Sequence, residues 1–245
     1  MQTESTNSTK RLAPATLLAA IAAASLGSTA FAGPIWDDDL SEDAGASVLG
    51  AQEIVSGGSI LQIVGSVGPG SLLGGADSAD MYLVRITQPT TLSISTAGGD
   101  RGGFASFDSA LFLFRAVQSA NGTYSAEALL ANNDADDGAN GSFIGSAAND
   151  GSGFSITESG LYYIMITTAG LTPQSASGSA LWQGLDSAGT IAFGGAQAFD
   201  AVAGDPTASG GSYSIRLTGV SGIPAPGALA LLSLAGIRAG RRRRG

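Results

Sequence analysis

The sequence contains no cysteine and no histidine. The first absence removes disulfides and thiol chemistry. The second removes the commonest general base and metal ligand. A Ser-His-Asp or Cys-His catalytic site is therefore excluded, and neither G-x-S-x-G nor a phosphate-binding loop occurs. Missing cysteine does not argue for the cytosol, because 245 residues can bury a core that needs no staples. Charge is also scarce: 13% of residues carry one, about half the usual share. Basic residues in the middle of the chain are scarcer still. Seven of the 11 lie at the ends: Lys10, Arg11, Arg238 and Arg241 to Arg244. The stretch 33–222 keeps four arginines (Arg85, Arg101, Arg115, Arg216) against 19 of the 20 acids, a net charge of −15. A body this acidic repels nucleic acid and favours cations.

What is present begins with a leader. A polar stretch ends in Lys10-Arg11, an apolar run rich in Ala and Leu follows, and Ala30-Phe31-Ala32 precedes Gly33-Pro34. This order reads as a secretory signal peptide over 1–32 for the Sec export machinery, with Ala30 and Ala32 marking a cleavage site that follows Ala32. Residues 33–58 form an acidic segment, expected to be loose. From 59 to 222 the apolar residues alternate in short runs bounded by Gly, Ser, Asn and Asp, of which Gly alone supplies 37 residues of the chain. Strands are expected at 59–67, 81–87, 91–96, 109–117, 153–157, 161–167 and 212–218. The fold class is all-β, an antiparallel β-sandwich or jelly roll, flanked by a signal helix and a short C-terminal hydrophobic helix.

Three of these strands share the form Y-x-[VI]-x-[IL]-T, starting at Tyr82, Tyr162 and Tyr213. Period-2 geometry puts each Tyr and its two aliphatics on one face. Arg85 and Arg216 mark the opposite face of the first and third as wet, whereas Tyr163 and Met165 mark the second as covered on both faces. Residues 169–210 scatter Trp182, Phe193 and Phe199 among small residues. Such a stretch is an excursion with a strand or two of its own. Its aromatics either pin the loop to the core or form a sugar- or partner-binding surface, and the first is the commoner use.

The richest polar cluster is ANNDADDGANGS, residues 131–142. Closely spaced carboxylate and amide oxygens suit Ca²⁺, which takes six to eight of them. As an EF-hand, Asn132, Asp134 and Asp136 would stand at ligand positions, but Asp137 and Phe143 occupy the places of the required Gly and Glu. The loop is thus either an Asx-rich turn or a calcium site joining Asp134, Asp136 or Asp137 to Asp80 or Asp108. A carboxylate-dependent hydrolase would have to use pairs such as Asp136-Asp137 or Asp37-Asp38-Asp39, and adjacent acids on loops are usually solvated. No catalytic role is expected.

The C-terminal stretch 223–245 holds Pro224-Ala225-Pro226, Gly227, the apolar GALALLSLAGIRAG and Arg241, Arg242, Arg243 and Arg244. On these residues it resembles the PEP-CTERM sorting signal of bacterial exosortase systems. Its apolar core, Ala228 to Ile237, is half the length of a spanning helix. The resemblance implies transient contact with the inner membrane and processing by an exosortase-type enzyme. The body from about 78 to 220 runs through the strand from Asp80, the Phe107-Asp108 strand, the Leu130 to Asp134 loop, the Ser159-Gly160-Leu161-Tyr162-Tyr163 strand and the closing strand at Tyr213. In that order it is similar to bacterial pre-peptidase C-terminal-like domains. It implies calcium at Asp108 and Asp134, and more weakly at Asp80. Together these features point to an exported cell-surface or extracellular-matrix protein of a bacterium, structural or binding in role, with extracellular polysaccharide as a candidate partner.

Overall fold

A computed structural model describes residues 35–37, 43–68, 78–136, 140–185, 189–193, 195, 197–204 and 210–225. The signal region 1–32, both expected terminal helices, Asp137, Pro226, Gly227 and Arg241 to Arg244 lie outside the described residues.

The described chain is all-β, with short 3-10 turns at Pro89–Thr91 and Gly99–Arg101. The strands are β1 (Ile35–Asp37), β2 (Gln52–Glu53), β3 (Gln62–Val67), β4 (Ala79–Ile86), β5 (Ser93–Ser95), β6 (Phe104–Ala105), β7 (Ser109–Gln118) and β8 (Tyr124–Asn132). They continue with β9 (Phe143–Gly145), β10 (Gly160–Thr168), β11 (Leu171–Gln174), β12 (Ile191–Ala192), β13 (Ala201–Gly204), β14 (Gly211–Thr218) and β15 (Val220–Ser221). The first sheet runs β1-β3-β14-β5-β9, with β6 also on β14. The second runs β12-β8-β7-β10-β4-β15, with β2 also on β4. A separate hairpin-like pair joins β11 and β13.

Most pairs are antiparallel, as expected, but β1 on β3 and β2 on β4 are parallel. Both exceptions come from the acidic segment that was expected to be loose. Two features hold that segment down. Ala44 and Ile54 are fully buried in the core, and the Trp36 indole donates to the Gln52 side chain.

The Y-x-[VI]-x-[IL]-T pattern works as period-2 geometry requires. Tyr82, Val84 and Ile86, Tyr162, Ile164 and Ile166, and Tyr213, Ile215 and Leu217 all enter one core between the two sheets. Ile63 and Val67 of β3, Ile94 of β5 and Leu111 and Leu113 of β7 complete it. Each such buried aliphatic contributes about 1.5–3 kcal/mol. Gly65 of β3 stands opposite Tyr213, and a Cβ there would lie 2.5 Å from the Tyr213 hydroxyl oxygen. The missing side chain is what lets the ring lie over the neighbouring strand.

The wet faces divide. On β14 Arg216 is exposed and buried residues alternate with less buried ones. On β4 only Arg85 is exposed; Met81 and Leu83 are buried on the face expected to be wet. They belong to a second cluster on the outside of the second sheet, with Ala46, Val48 and Ala51 packed against it. The expected strand at 153–157 does not form. Gly153 at φ +71° breaks the pleat, and only Ser155 bridges to Ala147. Conversely, β8 was not expected. Ala126 to Ala131 (AEALLA) favours helix by propensity, and a bulge at Leu129 breaks its alternation.

Candidate functional site

The 132–142 loop is built around two buried side chains, Asn132 and Ser142. The Asn132 amide donates to the carbonyls of Asp134 (2.9 Å) and Gly189 (2.6 Å), and its Oδ1 accepts from the Phe143 N–H (2.6 Å). The Ser142 hydroxyl meets the carbonyls of Asn133 and Ser109. Ser109 N–H donates to the Asn140 carbonyl at 2.9 Å. Asn132 is thus the internal frame of the loop rather than an outward ligand, the role its EF-hand position suggested. The frame fixes the loop against the start of β7, where Asp108 sits.

Of the five acids proposed from sequence, the four described fall into different surroundings. Asp108 and Asp134 come together. Asp108 is half-buried, and burial followed by the charge of Asp134 raises its carboxyl above the usual range. Its Oδ1 is buried with no hydrogen-bond partner. Such an oxygen is costly to leave unmet. Asp136 instead faces solvent and grips Arg101 in a two-pronged pair, at 2.7 and 3.2 Å. The Arg101 guanidinium also lies 5.1 Å over the Phe143 ring. At this exposure the pair orients the loop tip and adds little stability.

Asp80 lies fully buried in the inter-sheet core. The Tyr213 hydroxyl donates to its Oδ2 and is paired with the Tyr82 hydroxyl. Burial, then Tyr82 and Asp80, push the Tyr213 hydroxyl well above its ordinary 10. This is an interior polar cluster joining β4 to β14. Asp137 lies outside the described residues. Pro224 and Ala225 of the sorting motif are exposed beyond β15.

Beside Asp108 is a cavity of about 270 Å³, lined by Asn133, Ala169, Leu171, Thr172 and Leu185 among others. The Ala169 N–H donates to the Asp108 carbonyl at 2.8 Å, holding the excursion against this corner. Asn133 and Thr172 are oxygen donors that sequence reasoning did not pick out. Asn133 was within reach, since it stands in the same Asx run as Asp134; Thr172 was not, because only the fold brings it near. Among the described residues no three Asp or Glu side chains gather in a way that would hold a metal by themselves. Oxygens for a hard cation here would come from two carboxylates plus neutral groups and water.

No family model matches the chain, and neither a curated protein nor a solved structure matches it.

Proposed function

We propose that this chain is an exported bacterial protein of the cell surface or extracellular matrix. Its body is a non-catalytic β-sandwich that holds calcium at Asp108 and Asp134. The leader over 1–32 and the PEP-CTERM-like stretch 223–245 support the route: Sec-type export, brief membrane contact and exosortase-type processing. One observation carries the calcium reading. The buried Asp108 Oδ1 has no partner in the protein, yet a second carboxylate stands close enough to raise its pKa. A cation between the two would supply the missing partner and relieve their like-charge repulsion. Asn133, on the same cavity, adds a neutral oxygen.

A raised acid beside a second carboxylate is also what a carboxylate hydrolase would use. The cavity argues for the ion. Its 270 Å³ falls below the about 300–1,000 Å³ typical of small-molecule sites, and Asp108, Asn133 and Thr172 bring oxygens to it.

The test is the melting temperature of the full chain in calcium and in chelator. Saturating calcium should raise it by several degrees, since a ligand at 100 times its Kd adds about 2.7 kcal/mol. Asp108→Asn should abolish the rise. No shift at millimolar calcium would remove the ion from the proposal. The route is tested separately by intact mass from native envelopes: a chain starting at Gly33 and lacking Arg241 to Arg244 supports it, and an uncut cytoplasmic chain overturns it.

A further inference from the structure

A second cavity on the excursion, about 630 Å³, has no part in the calcium corner. Trp182, Phe193, Asp150, Gln183, Gln197 and Ser179 line it. Its size lies within the range of small-molecule sites. Its walls are firmly held. Trp182 is only 3% exposed and packs on Phe112 and Phe114, each at 5.4 Å between ring centres. Phe193 stands edge-on to Trp182 at 6.0 Å. Asp150 clamps the rim, accepting from the Ser152 N–H at 2.9 Å and from the Ala192 N–H of β12 at 2.7 Å.

Three features define what would fit. First, the Trp182 indole N–H is buried and has no acceptor in the protein. The donor has less than 1 Å² of solvent contact, so a ligand acceptor would meet it only with a small shift of the ring, which would relieve an unfavourable unmet donor. Second, aromatic edges and faces lie beside planar amides and a hydroxyl, a mixture of apolar surface and paired donors and acceptors. Third, among the described residues no Lys or Arg lines the cavity, and the one charge, Asp150, is negative. Phosphates, nucleotides and acidic sugars are disfavoured by that charge, and a purely apolar ligand would bury the amides unpaired. A neutral sugar meets all three conditions. Its C–H faces pack on rings, and its hydroxyls pair with amides and carboxylate.

We propose that this cavity binds a neutral carbohydrate segment. The proposal rests on the exported, non-catalytic reading above and gives it a ligand class. Asp150 also fits binding rather than cleavage. Hydrogen bonds from the Ser152 side chain, then from the backbone of Ala192 and Ser152, hold its carboxyl down to about 2. It stays ionised and cannot serve as the general acid that glycoside cleavage requires. It can accept hydroxyl protons throughout the neutral range.

The experiment is calorimetric titration of the full chain, in chelator, with neutral oligosaccharides of glucose, xylose, mannose and N-acetylglucosamine, and with an oligogalacturonate as the acidic comparison. Saturable binding of at least one neutral oligomer is expected. Gln183→Ala and Gln197→Ala, both at exposed positions, should each weaken it at least fivefold without lowering the melting temperature. Phe193→Ala should weaken it at least tenfold. Trp182 emission should shift on binding in a Trp36→Phe background. No saturable heat with any neutral oligomer at millimolar concentration overturns the proposal. So does binding that the two glutamine variants leave unchanged, or binding of the acidic oligomer alone. Because chelator is present, failure here leaves the calcium result and the processed mass standing.

Discussion

The second sheet has two buried faces, and they are built differently. Its inner face meets the other sheet through aliphatics and tyrosines from β4, β7, β8 and β10, opposed by β3, β5, β9 and β14. Many strands contribute and no single side chain dominates. Its outer face carries Met81, Leu83, Phe112, Phe114, Tyr163 and Met165, roofed on one side by Leu181, Trp182 and Phe199 from the excursion. A few aromatic anchors do there what a whole sheet does inside. Phe114 touches both Trp182 and Phe199, each at 5.4 Å between ring centres. A face covered by a sheet should fail globally. A face covered by an anchored loop should open locally.

The strongest test of that contrast sets Ile164→Ala against Trp182→Ala. Both residues are buried, and each truncation should cost about 2–5 kcal/mol. Ile164→Ala should lower the denaturation midpoint of the whole body and reduce amide protection in both sheets together. Trp182→Ala should strip protection from β11 and β13 and admit protease there, while β3 and β14 keep theirs. If Trp182→Ala lowers protection uniformly, the two faces form one cooperative unit and the contrast falls.

A smaller effect is expected at the inner polar cluster. Tyr213→Phe removes the hydroxyl that serves buried Asp80 and Tyr82, a loss of about 1–3 kcal/mol. The pH sign is separable from that loss. Tyr213 holds its proton above its ordinary 10, so above pH 10 the folded state binds more protons than the unfolded one. Stability must then fall as pH rises. On the outer face Tyr163 is pushed up to about 12, by burial and then by Tyr124 and Glu53, and acts with the same sign. Tyr213→Phe should therefore flatten the alkaline limb of a urea midpoint curve without abolishing it. An unchanged limb would mean Tyr213 ionises freely and the inner cluster is wet.

The difference between the faces also explains what could be read in the sequence. The inner face obeys a two-residue period, so Tyr82, Tyr162 and Tyr213 with their aliphatics pointed to it directly. The outer face needs partners far along the chain, since Trp182 is 70 residues from Phe112 and 68 from Phe114, and no local pattern encodes that pairing. For this reason β4 looked half wet from Arg85. The aromatics of 169–210 were legible as loop anchors in kind, though not in target. β8 was lost for another reason: small, helix-favouring residues fill the strand where it packs beneath Trp182 and Phe199, and a bulge hides its period. Among the acids, composition identified the types but not their surroundings. Asp80 and Asp108 both stand at the head of an apolar strand, yet one faces the interior tyrosines and the other a surface corner.

That last pair sets the finest prediction. Burial and Asp134 make the folded Asp108 hold its proton above the ordinary 3.8. From pH 3.8 up to that raised value, the folded state binds more protons than the unfolded state. Metal-free stability must then fall as pH rises through the window and stay lower above it. Calcium reverses the sign, because it requires the ionised carboxylate and competes with the proton. Asp108→Asn removes both effects. Urea midpoints between about pH 4 and 7 should slope downward for the parent in chelator, less steeply downward or upward in calcium, and equally in both media for the variant. At pH 7 in chelator the variant should match or exceed the parent, since it leaves Asp134 without a like charge beside it. A variant that is weaker than the parent in chelator, with no change of slope, would mean that Asp108 acts as a turn-former whose carboxylate is met within the protein. The corner would then be a third structural acid, closer to Asp80 than to a ligand.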